Sequence, residues 1–204
     1  TTGSGNAGDI TVWGKGSSAA TPLRATKVEI TGGELTSSTT GSGNAGSVKV
    51  YTKELAIAAT DAARGGLFSE SGTRPSSASS SRSQPQAAGE SGDAGSILVD
   101  AGQVSITSGG QISVGAFGGG DAGDVVIQGL GEAPDGEERL LLQNGGTIDA
   151  QADKGSAGSV LILTAGVGVG SVLLDQGQIL ASSGSDDPDS QGSILIAGPG
   201  STID

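Results

Sequence analysis

The chain has no cysteine, no histidine and no methionine among its 204 residues, and only four aromatic side chains. Without cysteine there is no disulfide framework and no thiol chemistry. Without histidine the commonest general base, the usual nucleophile–base triads and most transition-metal sites are gone. Bases are scarce and unevenly spread. Residues 1–90 carry eight Lys and Arg against seven Asp and Glu, a net of +1, whereas residues 91–204 carry two against fifteen, a net of −13. An acidic half of that strength repels phosphate backbones and anionic bilayers, so nucleic acid is not an expected partner. No apolar run approaches the roughly 18 residues of a membrane helix, and no membrane insertion is expected.

What is abundant is glycine, with 39 residues, accompanied by Ser and Thr at most polar positions. Such a composition alone suggests disorder, but 34 % of residues are apolar and they are regularly patterned. A thin core of small stacked layers reconciles the two facts.

The pattern is a repeat. The octapeptide TTGSGNAG at residues 1–8 recurs unchanged at residues 39–46, and both copies run into a short alternating strand, Ile10-Thr11-Val12 and Val48-Lys49-Val50. Looser copies of the junction lead into Ile97, Val125, Val160 and Ile194. The shortest unit, Gly95 to Gly123, shows the plan: strand Ile97-Leu98-Val99, strand Val104-Ser105-Ile106, then Gly109-Gly110 and strand Ile112-Ser113-Val114. The middle strand returns at residues 28–30, 55–57, 140–142 and 172–174. The third follows a glycine by two residues, at Leu35, Phe68, Ile148 and Ile179. Excess length collects in residues 71–91, rich in Ser, Pro and Arg, which read as a surface loop insertion. Shorter insertions fall at 14–26, 129–138 and 185–189.

Alternation sends Ile10 and Val12 to one side and Thr11 to the other. The expected fold is therefore all-β: a right-handed parallel β-helix with three short strands per coil and about six coils, residues 1–204 forming one segment of a longer solenoid. Glycine at the corners supplies backbone angles that other residues reach at a cost. A β-sandwich is the competing fold, but it favours two-residue hairpins at regular intervals.

These residues carry a resemblance. The junction TTGSGNAG-[Asp/Ser]-[Ile/Val]-x-Val, with strands of the type Val104-Ser105-Ile106-Thr107-Ser108-Gly109-Gly110-Gln111-Ile112-Ser113, resembles the repeats of filamentous-haemagglutinin-type exoproteins of Gram-negative bacteria, secreted by the two-partner route. The resemblance spans essentially the whole chain. It implies a right-handed parallel β-helix, a place outside the outer membrane, secreted or at the cell surface, and a structural or adhesive role. The implied partners are cell-surface carbohydrate or protein and further copies of the chain, end to end or side by side.

The alternative is a β-helical polysaccharide-processing enzyme or carbohydrate-binding module, which requires paired acids or a calcium site with a basic clamp. With Arg139 and Lys154 as the only bases after residue 91, no catalysis is expected. Stacked junctions bring Asp93, Asp121 and Asp124 about 5 Å apart, the geometry of a weak Ca²⁺ site; against it stands the plainer reading of solvated loop carboxylates. Apart from this Ca²⁺, no cofactor is expected. A different surface is apolar. The outward residues of the first strand run Thr11, Lys49, Leu98, Val126, Leu161, Leu195, and those of the middle strand end in Leu141 and Leu173. This marks either an interaction surface or a face covered by the insertions. A regular outward threonine array of the ice-binding kind is missing, since the third-strand exterior reads Thr36, Ser69, Ser113, Asp149, Leu180.

Overall fold

The computed structural model describes residues 4–18, 20–73, 92–131, 140–164 and 172–198. Among them the only helical element is a 3₁₀ turn at Pro188–Ser190, and everything else regular is strand, paired in parallel in two sheets.

The larger sheet takes the first and middle strands of the repeats. Its main path runs through β1 (Ile10–Val12), β4 (Val48–Ala58), β6 (Ile97–Thr107), β8 (Val125–Leu130), β11 (Val160–Thr164) and β14 (Ile194–Ala197). Beside that path, β2 (Ala25–Thr31) pairs with β4, β9 (Leu140–Gln143) with β6, and β12 (Val172–Asp175) with β9. The second sheet holds the third strands: β3 (Glu34–Thr36), β5 (Gly66–Gly72), β7 (Gln111–Phe117), β10 (Thr147–Ala152) and β13 (Gln178–Ser183). In the second and third repeats the first and middle strands are not separate. β4 and β6 run through eleven residues each, joined over Thr52 and Ala101, whose small side chains are fully buried.

Register follows the repeat. Ile10, Val48, Ile97, Val125, Val160 and Ile194 stand in one column, each the direct partner of the next. Val28, Leu55, Val104, Leu140 and Val172 form a second column. Leu35, Leu67, Ile112, Ile148 and Ile179 form a third. These columns are the core, with Ile97, Val125, Val104 and Ile112 fully buried. The third column corrects the sequence reading by one residue. Leu67, not Phe68, faces inward, because the strand is counted from the first glycine of the Gly65-Gly66 pair. Ser69 therefore also faces inward, where its hydroxyl donates to the Gly46 carbonyl at 2.8 Å. β5 continues through Ser71 and Gly72, so the insertion expected at 71–91 begins later; residues 74–91 lie outside the described residues.

The junctions explain the glycines. A Cβ on Gly46, Gly95, Gly123 or Gly158 would lie 2.6 Å from the carbonyl carbon of the equivalent glycine one repeat earlier. None of these four has a φ in the left-handed region. They are required by the approach of one backbone to the next, not by an unusual dihedral. Backbone angle matters instead at the corner between middle and third strands, where Ser108, Asn144 and Gln176 have φ near 51°, 51° and 61°.

Candidate functional site

Four places on this scaffold gather chemistry. The first is the junction ladder, which holds the acids named as a Ca²⁺ site. The Asn6 side-chain carbonyl accepts the Asn44 N–H at 2.9 Å, Asn44 accepts the Asp93 N–H at 3.0 Å, Asp93 accepts the Asp121 N–H at 3.0 Å, and Asp121 accepts the Ser156 N–H at 2.7 Å. In parallel, Asp9 accepts from Ser47 N and Asp124 from Ser159 N, at 2.7 and 2.8 Å. Each side chain supplies an acceptor to an amide of the next repeat at a corner. Among the described residues no three His, Cys, Asp or Glu side chains converge as a metal cluster. Asp93, Asp121 and Asp124 are exposed, and one oxygen of each is engaged along the stack.

This arrangement makes a chemical prediction. Asp121→Ala deletes the acceptor of a junction amide and should cost about 1–2 kcal/mol, whereas Asp121→Asn, the residue found two and three steps below in the same column, should fall within about 0.5 kcal/mol of the parent. Urea denaturation of the two variants side by side measures the difference; equal losses would show that charge, not the acceptor, is what counts.

The second place is the apolar exterior. Leu98, Val126 and Leu161 stand in register and are half-buried, as is Leu141, while Leu195 and Leu173 are 44 % and 41 % exposed. The surface therefore opens only toward its carboxyl-terminal end. Of the insertions expected to cover it, 129–138 and 165–171, residues 132–138 and 165–171 lie outside the described residues. At the same end inward side chains also meet solvent: Ile194 is 46 % and Leu174 47 % exposed. Among the described residues the first column has a sixth member, Ile194 of β14, paired with Val160.

The third place was not visible in the periodicity. Both faces of the second sheet are buried over β5 and most of β7, although the outer face carries Glu70 and Ser113 beside Phe68 and Phe117. There Ser113 contacts Asp149 Oδ1 at 2.5 Å and Glu70 Oε1 at 3.1 Å. Arg64 donates to Glu70 at 3.2 Å and lies 3.9 Å above the Phe68 ring. Glu70 is 8 % exposed and Asp149 4 %. Phe68 covers Gly66 and Phe117 covers Gly115, two rings shielding strand glycines on the same face.

The fourth is a corner of the larger sheet. Tyr51, Asp100 and Gln128 are register partners on successive strands, and Trp13 follows Val12 as Tyr51 follows its partner Val50. Arg24 Nε donates to Asp100 Oδ1 at 2.9 Å and Gln128 Nε2 to Asp100 Oδ2 at 3.3 Å. Both members of the Arg24–Asp100 ion pair keep one fifth of their side chains in solvent. The sequence held a signal for this corner: the identical octapeptides start 38 residues apart, the spacing that puts Trp13 at the position of Tyr51. Compared with known proteins, the chain matches no family model, no curated protein and no solved structure.

Proposed function

We propose that this chain is a segment of an extracellular structural or adhesive rod, without catalysis of its own. In this reading the two parallel sheets close into a right-handed β-helix with three strands per coil and about six coils. The observation that carries it is the six-member column from Ile10 to Ile194, flanked by two five-member columns in parallel register. Six tiers at about 4.8 Å give a length on the order of 25–30 Å. Such a stack grows by adding tiers, each contacting only its neighbours, and serves reach and surface area more readily than a reaction cavity.

Location and role rest on the resemblance of the junctions to filamentous-haemagglutinin-type exoproteins, and place the rod outside the outer membrane of a Gram-negative bacterium. Its partners in this reading are surface carbohydrate or protein and further copies of the chain. The exposed Leu173 and Leu195 offer apolar surface for contact with a further copy of the chain. Antibodies against the 204-residue chain should label the exterior of intact cells, and electron microscopy of native material should show elongated particles. Labelling confined to the cell interior would sink the location, and round particles the rod.

A polysaccharide-processing reading has one observation in its favour, the meeting of Glu70, Asp149 and Arg64 around Ser113. Burial of both carboxylates weighs against it, since a general acid must reach its substrate. Under the rod reading, a panel of plant and bacterial polysaccharides incubated with the chain yields no new reducing ends or unsaturated products.

A further inference from the structure

The chain has four aromatic residues, and the fold separates them by use. Phe68 and Phe117 are buried over glycines, whereas Trp13 is 38 % exposed and Tyr51 half-buried, each directly following one of the paired residues Val12 and Val50. Beside them lies the hydrogen-bonded set Arg24, Asp100 and Gln128. We infer that this corner is a binding platform for neutral oligosaccharides, an inference that deepens the adhesive reading above and rests on it.

The chemistry selects the ligand class. An aromatic face is electron-rich and apolar, and the C–H face of a pyranose is apolar with weakly positive hydrogens, so the two pack together. Sugar hydroxyls are at once donors and acceptors, and a carboxylate, a guanidinium and a primary amide in one cluster match both capacities. The Arg24–Asp100 pair is internally compensated, so these two charges give no net preference for an ionised sugar. A protein partner fits less well. Among the described residues the large apolar side chains exposed at this corner are Trp13 and Leu23, with exposed Thr11 and Lys49 beside them, few against the roughly 20–30 residues a side of a stable interface.

The corner is also held in place before any ligand arrives. Gly14, Ser17 and Leu23 are tied together: Gly14 N–H donates to Leu23 carbonyl at 2.7 Å, Ser17 Oγ to Gly14 carbonyl at 2.6 Å, and Leu23 N–H to Ser17 Oγ at 2.8 Å. Trp13 adjoins this tie at Gly14 and Arg24 adjoins it at Leu23. Arg24 then spans two repeats to Asp100, passing over Gly129, where a Cβ would sit 2.8 Å from Asp100 Oδ1 and 3.1 Å from Arg24 Cζ. Groups fixed this way lose little freedom on binding.

Trp13 is the only tryptophan, so its fluorescence reports on this corner alone. The 204-residue chain is titrated with tetrasaccharides of β-linked glucose, galactose and N-acetylglucosamine, and with an oligogalacturonate as the anionic control. The expected result is a saturable change with at least one neutral sugar and none with the anion. By calorimetry, Trp13→Ala and Tyr51→Ala each lower that affinity at least about tenfold, and Asp100→Asn weakens it, while Lys49→Ala leaves it unchanged. Melting temperatures of Trp13→Ala and Lys49→Ala stay at the parent value, since both side chains are exposed. Silence with every neutral sugar at millimolar concentration, binding that survives Trp13→Ala, or preference for the anion overturns the inference. Elongated particles on the cell exterior with a silent Trp13 sink the platform and spare the rod; saturable sugar binding by round particles does the reverse.

Discussion

Gly123→Val should lower the melting temperature by 10 °C or more, or abolish folding, while Gly8→Val in the same Asn/Asp-Ala-Gly context should leave it almost unchanged. At Gly123 the added Cβ would lie 2.6 Å from the Gly95 carbonyl carbon and 3.0 Å from the Ser96 amide nitrogen. Those are backbone atoms bound into the ladder, since Ala94 N–H donates to the Asp121 carbonyl and Ile97 N–H to the Asp124 carbonyl, each at 2.9 Å. They cannot yield without opening that ladder. Overpacking costs about 1–3 kcal/mol where side chains can adjust, and more where they cannot. At about 2–4 °C per kcal/mol for a chain of this size, a loss of about 5 kcal/mol or more gives the stated shift. At Gly8 nothing lies within 4 Å of the added atom. Circular dichroism melts of both variants decide the matter. Equal losses would mean that glycine serves the backbone angle at this position and not the approach of one repeat to the next.

The second large effect concerns one column and two positions in it. Ile97→Ala should cost about 2–5 kcal/mol, the range for emptying a filled core site, and Ile194→Ala less than about 1 kcal/mol. Both residues open a strand of the larger sheet after a junction, and both point along the same axis. Ile97 has Val48 on one side and Val125 on the other and is fully buried, whereas among the described residues Ile194 is paired with Val160 alone and is 46 % exposed. A solenoid stabilised by contacts between neighbouring tiers loses two interfaces in the first case and part of one in the second. Chemical denaturation of the pair measures the ratio. Similar losses would show that something other than the tier at Val160 covers Ile194 in solution.

The same one-sided exposure runs through Leu174, Leu195 and Ile196 at the carboxyl-terminal end. Partial burial of Ile10, Val12 and Val28 mirrors it at the amino-terminal end, where they pack against the core from one side. Interior tiers are held from both directions, so local opening should begin at the outer tiers and reach β6 and β8 last.

Alternation and repeat length by themselves determined the parallel strands, the first and middle core columns and the stacking of Ile97, Val125 and Val160 in one of them. Each inward residue has a counterpart one repeat away, and stacking like on like satisfies both burial and main-chain pairing. Tertiary structure alone decided what depends on neighbouring repeats. It showed that Gly46, Gly95, Gly123 and Gly158 serve close backbone approach. It turned Asp93, Asp121 and Asp124 into acceptors for amides of the next repeat, and it shifted Phe68 to the outer face because two adjacent glycines offer two starting points for the count. It also brought together Glu70, Ser113 and Asp149, and Arg24 with Asp100 and Gln128, residues far apart in the chain. No local pattern encodes such meetings, because a side chain on a coiled strand meets the residues above and below it, and which those are is set by the length of every insertion between.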